Sequence, residues 1–442
     1  METVAGGYSS EVEMAVEPSR RTAWTCAIAV WPLFVGIGLI MLANGLQGTL
    51  LALRATLEGF STAMTGVVMS GYFLGLLAGA GPASRMVGRV GHVRVFAGLA
   101  SAASVAVLVQ GLFPEPVLWT IMRLVTGFCF AGLFVACESW LNDVSTNQTR
   151  GKLLSAYMVV VFSGLALGQF FLPLADPRAI DLFLLVSALI SLAVVPILLA
   201  VSQAPMLALP ERIGLGALYR LSPLGVITAV GSGIAHGALF GFGAVYARAI
   251  GLDTTGIAWF MAAPMVGGIL AQIPIGRASD RFDRRTVLCV VAFTAALAAL
   301  AAGSAAAFGL VPLLLAALCL GAATLPLYAL SLAHTNDFLN PKQRVTASGA
   351  FVLAAGIGLS LGPVCVSAIM QGMGPGGFFA FLSGVHGAIG LFALFRMTRR
   401  AAVPLDAQAP FVGTVNRGSP LATEIALETA VEPMPEAREC AE

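Results

Sequence analysis

The chain has 442 residues, of which 58% are hydrophobic and only 10% charged, with a formal net charge of +2 and a mean hydropathy of +0.90. Soluble domains carry about 25% charged residues and need polar groups over much of their surface, so a water-soluble enzyme and bulk disorder are both excluded, and the small net charge suggests no nucleic-acid partner. What remains is a chain that crosses a lipid bilayer repeatedly, with about 20 apolar residues per crossing.

Residues 1–23 are polar and read as a disordered tail. Ser19-Arg20-Arg21 could open a twin-arginine export signal, but the following apolar stretch is too long and more spans succeed it, so it reads as a basic flank. Two runs without any Asp, Glu, Lys or Arg, Thr286 to Asn336 and Val345 to Phe395, set the span length. Each accommodates two helices of about 20 residues and a turn, with turns near Gly309 and at Gly374-Pro375. The same ruler predicts twelve helical spans, at roughly 26–52, 62–83, 93–113, 117–140, 152–174, 181–201, 223–247, 255–276, 287–308, 311–334, 346–370 and 377–397. Strands are not expected, because barrel strands need only about 10 alternating residues. Residues 24–201 thus form a first six-helix bundle, 202–222 a linker with Pro205 and Pro210, 223–400 a second bundle, and 401–442 a second disordered tail.

Basic residues orient the chain. With both termini in the cytoplasm, inner loops hold Arg85, Arg89, Arg94, Arg150, Lys152, Arg212, Arg220, Arg277, Arg281, Arg284, Arg285, Lys342 and Arg344. Outer loops hold only Arg54, Arg178 and Arg248. That bias places both termini inside, in a bacterial cytoplasmic membrane.

The chain also repeats itself. A shift of 194 carries Trp140, Asn142, Asp143 and Arg150 onto His334, Asn336, Asp337 and Arg344, Gly127 onto Gly321, and Gly164 and Gly168 onto Gly358 and Gly362. A shift of 192 carries Asn44-Gly45 onto His236-Gly237 and Arg85 and Arg89 onto Arg277 and Arg281. Several matches in one order point to two homologous halves.

Several motifs resemble those of the major facilitator superfamily of transporters. Gly276-Arg-Ala-Ser-Asp280-Arg281-Phe-Asp283-Arg284-Arg285 is similar to its loop motif, although Asp283 stands where a glycine is usual, and the first-half copy has Gly88 in place of the acid. Arg123-x-x-x-Gly127-x-x-x-Ala131 resembles its fourth-helix pattern. Gly358-x-x-x-Gly362-Pro363 resembles its antiporter-type glycine-proline motif, displaced to the eleventh span, with Gln169 replacing proline in the first half. Glu138-Ser-Trp and Arg150-Gly-Lys-Leu-Leu-Ser-Ala-Tyr resemble a bacterial subgroup, the YcaD-like transporters. The resemblance implies an all-α major facilitator fold, with a central cavity lined by the first, fourth, seventh and tenth helices and halves that rock around a substrate.

Polar exceptions in those helices are the candidate site. Arg123 is either an anion or proton-relay contact or a clamp on helix carbonyls. Glu138, about 22 Å farther along the same helix, is either a loop ion-pair partner or a protonatable carboxylate. His236 is either a midplane titrating or hydrogen-bonding group or a packing residue. Asn44 and Gln47, one turn apart, are expected to share a face and to hydrogen-bond a polar solute, with Gln169 a weaker candidate. The resemblance makes Asp280, Arg281, Arg284 and Arg285 an inner gate, in which Asp280 reaches the start of the fifth helix near Lys152 in the other half. Asp143 and Arg150, with their repeats Asp337 and Arg344, are expected to cap helices and close the inner mouth. Gly71, Gly75 and Gly79 read as a close-packing ridge.

Seven scattered cysteines, four scattered histidines and no phosphate-binding loop leave no catalytic, metal or cofactor site to expect. The expected function is secondary transport of a small solute by a monomer, as antiporter or symporter. Proton coupling through Glu138, Arg123 or His236 stands beside facilitated uniport, and a non-transporting membrane sensor is the alternative of another class.

Overall fold

The computed structural model describes residues 23–145, 147–199, 214–405, 408 and 411. The disorder expected for 1–23 and 401–442 falls almost wholly outside these residues, as does the linker expected at 202–222 up to residue 213; Ala23 already opens the first helix. The fold is all-α, and among the described residues twelve helices are long and apolar enough to cross a membrane. In lipid a backbone must satisfy its own hydrogen bonds, which is what selects helices for such a composition.

In chain order the helices are α1 (Ala23–Leu57), α2 (Thr62–Val90), α3 (His92–Leu112), α4 (Pro116–Val144) and α5 (Asn147–Gly168, extended by a 3-10 segment Gln169–Leu174). Then come α6 (Asp181–Leu192, continued by Val194–Leu199), a short linker helix (Leu215–Leu221), α7 (Pro223–Ala249) and α8 (Thr254–Arg281). The last four are α9 (Arg284–Ala305), α10 (Leu310–Thr324, resuming at Pro326–Asn336), α11 (Pro341–Met373) and α12 (Gly377–Arg399). The end of the molecule where α1 begins and α12 finishes is called the terminal end below.

Several helices overrun the spans expected from hydropathy: α2 continues to Val90, α8 to Arg281, and α11 begins at Pro341. Hydropathy marks where a helix enters lipid, whereas backbone chemistry decides where it stops. The starts are legible in the caps. Ser61, Glu115, Asp253 and Asp283 each accept a backbone N–H at a helix start, and Asn340 with Gln343 forms a capping box. Among the described residues every positive φ belongs to glycine, including Gly309 and Gly374 at the two expected turns.

Close helix contacts are built on matched glycines. Added Cβ atoms at Gly71, Gly75 and Gly79 would press on α4 at Thr120, Leu124 and Phe128, and one at Gly127 would press back on Tyr72. In the later helices Gly267 and Gly321 join α8 to α10 in the same way. Gly45, Gly164 and Gly168 join α1 to α5, and Gly237, Gly358 and Gly362 join α7 to α11. Without a hydrophobic drive between helices in lipid, such backbone approach is the main source of packing energy. Large apolar residues such as Leu112, Leu270 and Phe308 cover the outside, where lipid replaces water.

The first six and last six helices meet mainly along α2–α11, α1–α7 and α5–α8. The Ser70 hydroxyl donates to the Ser360 carbonyl at 2.7 Å. Phe170 packs edge-on against Trp259, with centroids 4.7 Å apart. Gly66 faces Ser367. These contacts lie in the half of the molecule away from the terminal end.

Candidate functional site

A small cavity lies beneath that seam, lined from α1 by Asn44, Gly45, Gly48 and Thr49, and from α2 by Met69, Tyr72 and Phe73. Arg123 of α4, Leu165 and Gln169 at the end of α5, Phe240 of α7, and Met261 and Met265 of α8 complete it. Only about 20 Å³ of it admits a water molecule, so the cavity as it stands is too small for a solute.

Its polar groups form two bonded sets, one around Tyr72 and one around Gln169. Arg123 is buried, at 2% exposure, and its guanidinium lies over the Tyr72 ring, 4.4 Å from the centroid. That contact compensates part of the cost of placing a cation among helices. The Asn44 amide donates to the Tyr72 hydroxyl at 3.1 Å. Thr49 donates to the Gln169 side-chain oxygen at 2.5 Å, and the Gln169 amide donates to the Gly45 carbonyl at 2.9 Å. Gln169 therefore ties the α5 terminus to the close α1–α5 glycine contact.

Of the residues expected here from sequence, Arg123, Asn44 and Gln169 share the cavity. Gln47 does not: its amide donates to Gln110 of α3 at 3.1 Å, inside the first helix group. Three residues advance a helix by about 300°, and the remaining 60° turns Gln47 from the cavity into the α1–α3 seam. His236 is buried with its ring stacked near Phe240, and it is Phe240 that lines the cavity. Glu138 is buried near the terminal end of α4, where the Tyr157 hydroxyl donates to it at 3.2 Å.

The lining also differs from the expected set of helices: α2, α5 and α8 supply residues and α10 supplies none. The cavity sits under the closed seam, where α2–α11 and α5–α8 converge. Tyr72 escapes sequence reasoning because it lies on the second helix, outside the first, fourth, seventh and tenth; Thr49 lies on the first helix, but a lone hydroxyl in an apolar run carries no signal of its own. Tyr72 was detectable as a phenol in an apolar span beside Gly71.

The terminal end holds two charge networks. In the later helices, buried Arg284 donates to Asp337 at 2.6 Å, to the Ser279 hydroxyl at 2.9 Å, to the Ala333 carbonyl at 3.0 Å and to Asp280 at 3.2 Å. In the earlier helices, His92 lies 2.8 Å from the Ser139 hydroxyl and 3.7 Å from Asp143. The shift of 192 carries His92 onto Arg284, and that of 194 carries Asp143 onto Asp337. The same bridge is thus a full ion pair in one half and a histidine contact in the other.

Asp280 spends its carboxylate on Arg284 and on the Phe411 backbone N–H at 2.9 Å, both following it in the chain; the Lys152 side chain at the α5 start, toward which it is expected to reach, lies outside the described residues. Arg281 closes α8. Asp283 holds Arg285 at 2.9 Å and caps α9. Partial burial raises its carboxyl, but the hydrogen bonds and charge of Arg285 outweigh this and leave it below the ordinary value. Arg344 donates to the Asn336 and Leu339 carbonyls, so it closes the α10–α11 turn. The Arg150 side chain lies outside the described residues. No group of His, Cys, Asp and Glu suited to a metal occurs among the described residues.

The Major Facilitator Superfamily model matches residues 33–256 and again 225–429. The chain belongs to the major facilitator superfamily. It is 30% identical over 375 residues to the uncharacterized MFS-type transporter YcaD of Escherichia fergusonii, covering 84% of this chain and 97% of that one. The YcaD of Escherichia coli O139:H28 is 32% identical over 357 residues, covering 80% and 92%. Among solved structures, the nucleoside transporter NupG, as its D323A mutant, superposes with a TM-score of 0.69 at 15% identity, covering 83% of this chain and 99% of that one. A bacterial homologue of the human lysosomal transporter Spinster, inward-facing and unoccupied, gives 0.66 at 15% identity, covering 92% and 99%. This superfamily member is a multi-pass membrane protein with the fold of those transporters.

Proposed function

We propose that this protein is a secondary transporter that carries a small polar solute by alternating access, with residues 24–201 and 223–400 as its two moving halves. The cradle of Arg123, Tyr72 and Asn44 carries this reading. A buried cation and an amide–phenol pair, roofed by the α1–α7 and α2–α11 contacts, form a polar spot reached by parting the halves. Arg123 favours solutes with an anionic or hydrogen-bond-accepting group, and Met69, Met261 and Met265 supply an adaptable apolar wall. The seam is its closed gate, and the terminal end, by its excess of basic residues, is cytoplasmic. Asp280 then stands at the inner mouth, held by Arg284 in this inward-facing arrangement and released toward the first half when that mouth closes. Buried Glu138, bonded to Tyr157, is the group best placed to carry a proton.

A thermal-shift screen of purified protein against a metabolite library supplies a solute, and its accumulation is then measured in sealed vesicles. Arg123→Ala is expected to abolish accumulation while the protein still inserts and melts normally. Arg123→Lys keeps charge but loses the planar contact with Tyr72 and recovers only part. Full accumulation by Arg123→Ala overturns the site. Single-cysteine labelling at positions 58, 115 and 253 is expected from outside, and at 215 and 283 from inside; one clear reversal overturns the orientation.

A further inference from the structure

A second cavity opens at the terminal end between the start of α7, the end of α10 and the end of α12. Ser222, Arg285, His334, Phe338, Arg396 and Arg400 line it. Only about 20 Å³ of it admits a water molecule, so it is a shallow basic cleft at the surface that a phosphate group enters from its open mouth. No part of the solute cradle touches it.

Its charges do not balance. Arg285 is paired with Asp283 and donates to the Arg400 carbonyl. Arg400 donates to the Leu221 carbonyl at 2.9 Å and lies 3.9 Å over the Phe338 ring, and among the described residues its charge meets no carboxylate. Half-buried Arg396 makes no ion pair among the described residues. His334 is 96% buried, since only 4% of it is exposed, and its ring meets Phe338 edge-on. Among the described residues it makes no hydrogen bond, and it faces the cavity. Three guanidinium groups and an unbonded imidazole therefore converge, with one carboxylate among them. Uncompensated cations held partly out of water are costly, and guanidinium forks match phosphate oxygens.

The surroundings name the source of that phosphate. The cavity lies where α12 leaves the apolar belt. Leu391 and Phe395, two turns and one turn before Arg399 on this helix, are 63% and 49% exposed, and Arg399 lies over the Phe395 ring at 5.3 Å. An acyl chain can follow these side chains while its headgroup reaches Arg396 and Arg400. Basic pockets between helices at a membrane surface are suited to anionic headgroups.

We propose that this cavity binds the phosphate headgroup of an anionic phospholipid, held by Arg396, Arg400 and His334. The inference concerns a site apart from the solute path and holds whichever solute is carried. The delipidated full-length protein in neutral detergent is titrated with phosphatidylglycerol, phosphatidylcholine and inorganic phosphate, reading melting temperature and retained lipid by native mass spectrometry. Phosphatidylglycerol is expected to raise the melting temperature and to stay bound, whereas phosphatidylcholine does neither. Arg396→Gln is expected to weaken phosphatidylglycerol about fivefold, the share of one basic residue at a charged surface, and Arg396→Lys to recover part of it. Equal effects of the two lipids, or an unchanged Arg396→Gln, overturn the site. An equal shift with inorganic phosphate alone overturns the lipid as its source. Should Arg396→Gln not fold, a photoactivatable phosphatidylglycerol is cross-linked to the wild type. Adducts on residues 334–338 or 396–401 support the site, and adducts confined elsewhere overturn it.

Discussion

At the scale of single residues, the two members of the repeated bridge predict unequal costs. Arg284 and Asp337 are each 1% exposed at the side chain, and Arg284 also satisfies Ser279, Ala333 and Asp280. Arg284→Ala leaves Asp337 as a buried charge without its cation, which costs about 3–5 kcal/mol. His92→Ala in the other half removes a histidine whose acid partner, Asp143, is 37% exposed and can turn to water, so the loss is about 1 kcal/mol, that of one buried hydrogen bond. Thermal melting of the two variants is expected to show a clearly larger drop for Arg284→Ala. Equal drops would mean that the two bridges are equivalent. The sequence repeat exposed Asp143 and Asp337 as counterparts, but it did not name their partners. Those partners are set by where α3 and α9 begin, and a hydropathy pattern places such starts only within a few residues.

At the scale of helices, the glycine contacts divide into two kinds. At Gly237 a Cβ would strike the Leu359 carbonyl on α11, and a backbone atom cannot rotate away as a side chain does. Gly237→Val is therefore expected to force α7 from α11 and to destabilise by about 1–3 kcal/mol or more. Gly384 on α12 has nothing within 4 Å of its added Cβ, so Gly384→Ala serves as the neutral control. Melting temperatures of the pair, with monodispersity in detergent, check this. An undisturbed Gly237→Val would remove close approach as the basis of α7–α11 packing. The spacing of Gly71, Gly75 and Gly79 at four-residue intervals was readable as a ridge, because four residues return to one helix face. Which helix it met was not readable, since α2 has lipid, α4 and α11 all around it.

At the scale of the whole molecule, the seam predicts a lock. An added Cβ at Gly66 lies 2.9 Å from the Ser367 Cβ, nearer than the separation of about 3.8 Å that a disulfide spans, so the two helices ease apart slightly to accept one. Gly66→Cys with Ser367→Cys, on a background without native cysteines, is expected to oxidise readily and to stop transport. Dithiothreitol should restore it. Transport undiminished by complete cross-linking would show that the α2–α11 seam does not open during the cycle.

The amino-acid sequence by itself determined the class and plan of this protein. Scarcity of charge forces the chain into lipid, lipid forces helices, and the charge-free runs of 286–336 and 345–395 measure the bilayer twice over. It also singled out Arg123, because a cation among apolar residues is conspicuous on any reading of the chain. Tertiary structure alone decided the company that cation keeps. Tyr72 and Asn44 come from other helices, Gln47 turns aside through a rotation of about 60°, and His334 and Arg396 meet across 62 residues of chain at one cavity. Periodicity reports the face on which a side chain lies; only packing reports what lies opposite that face.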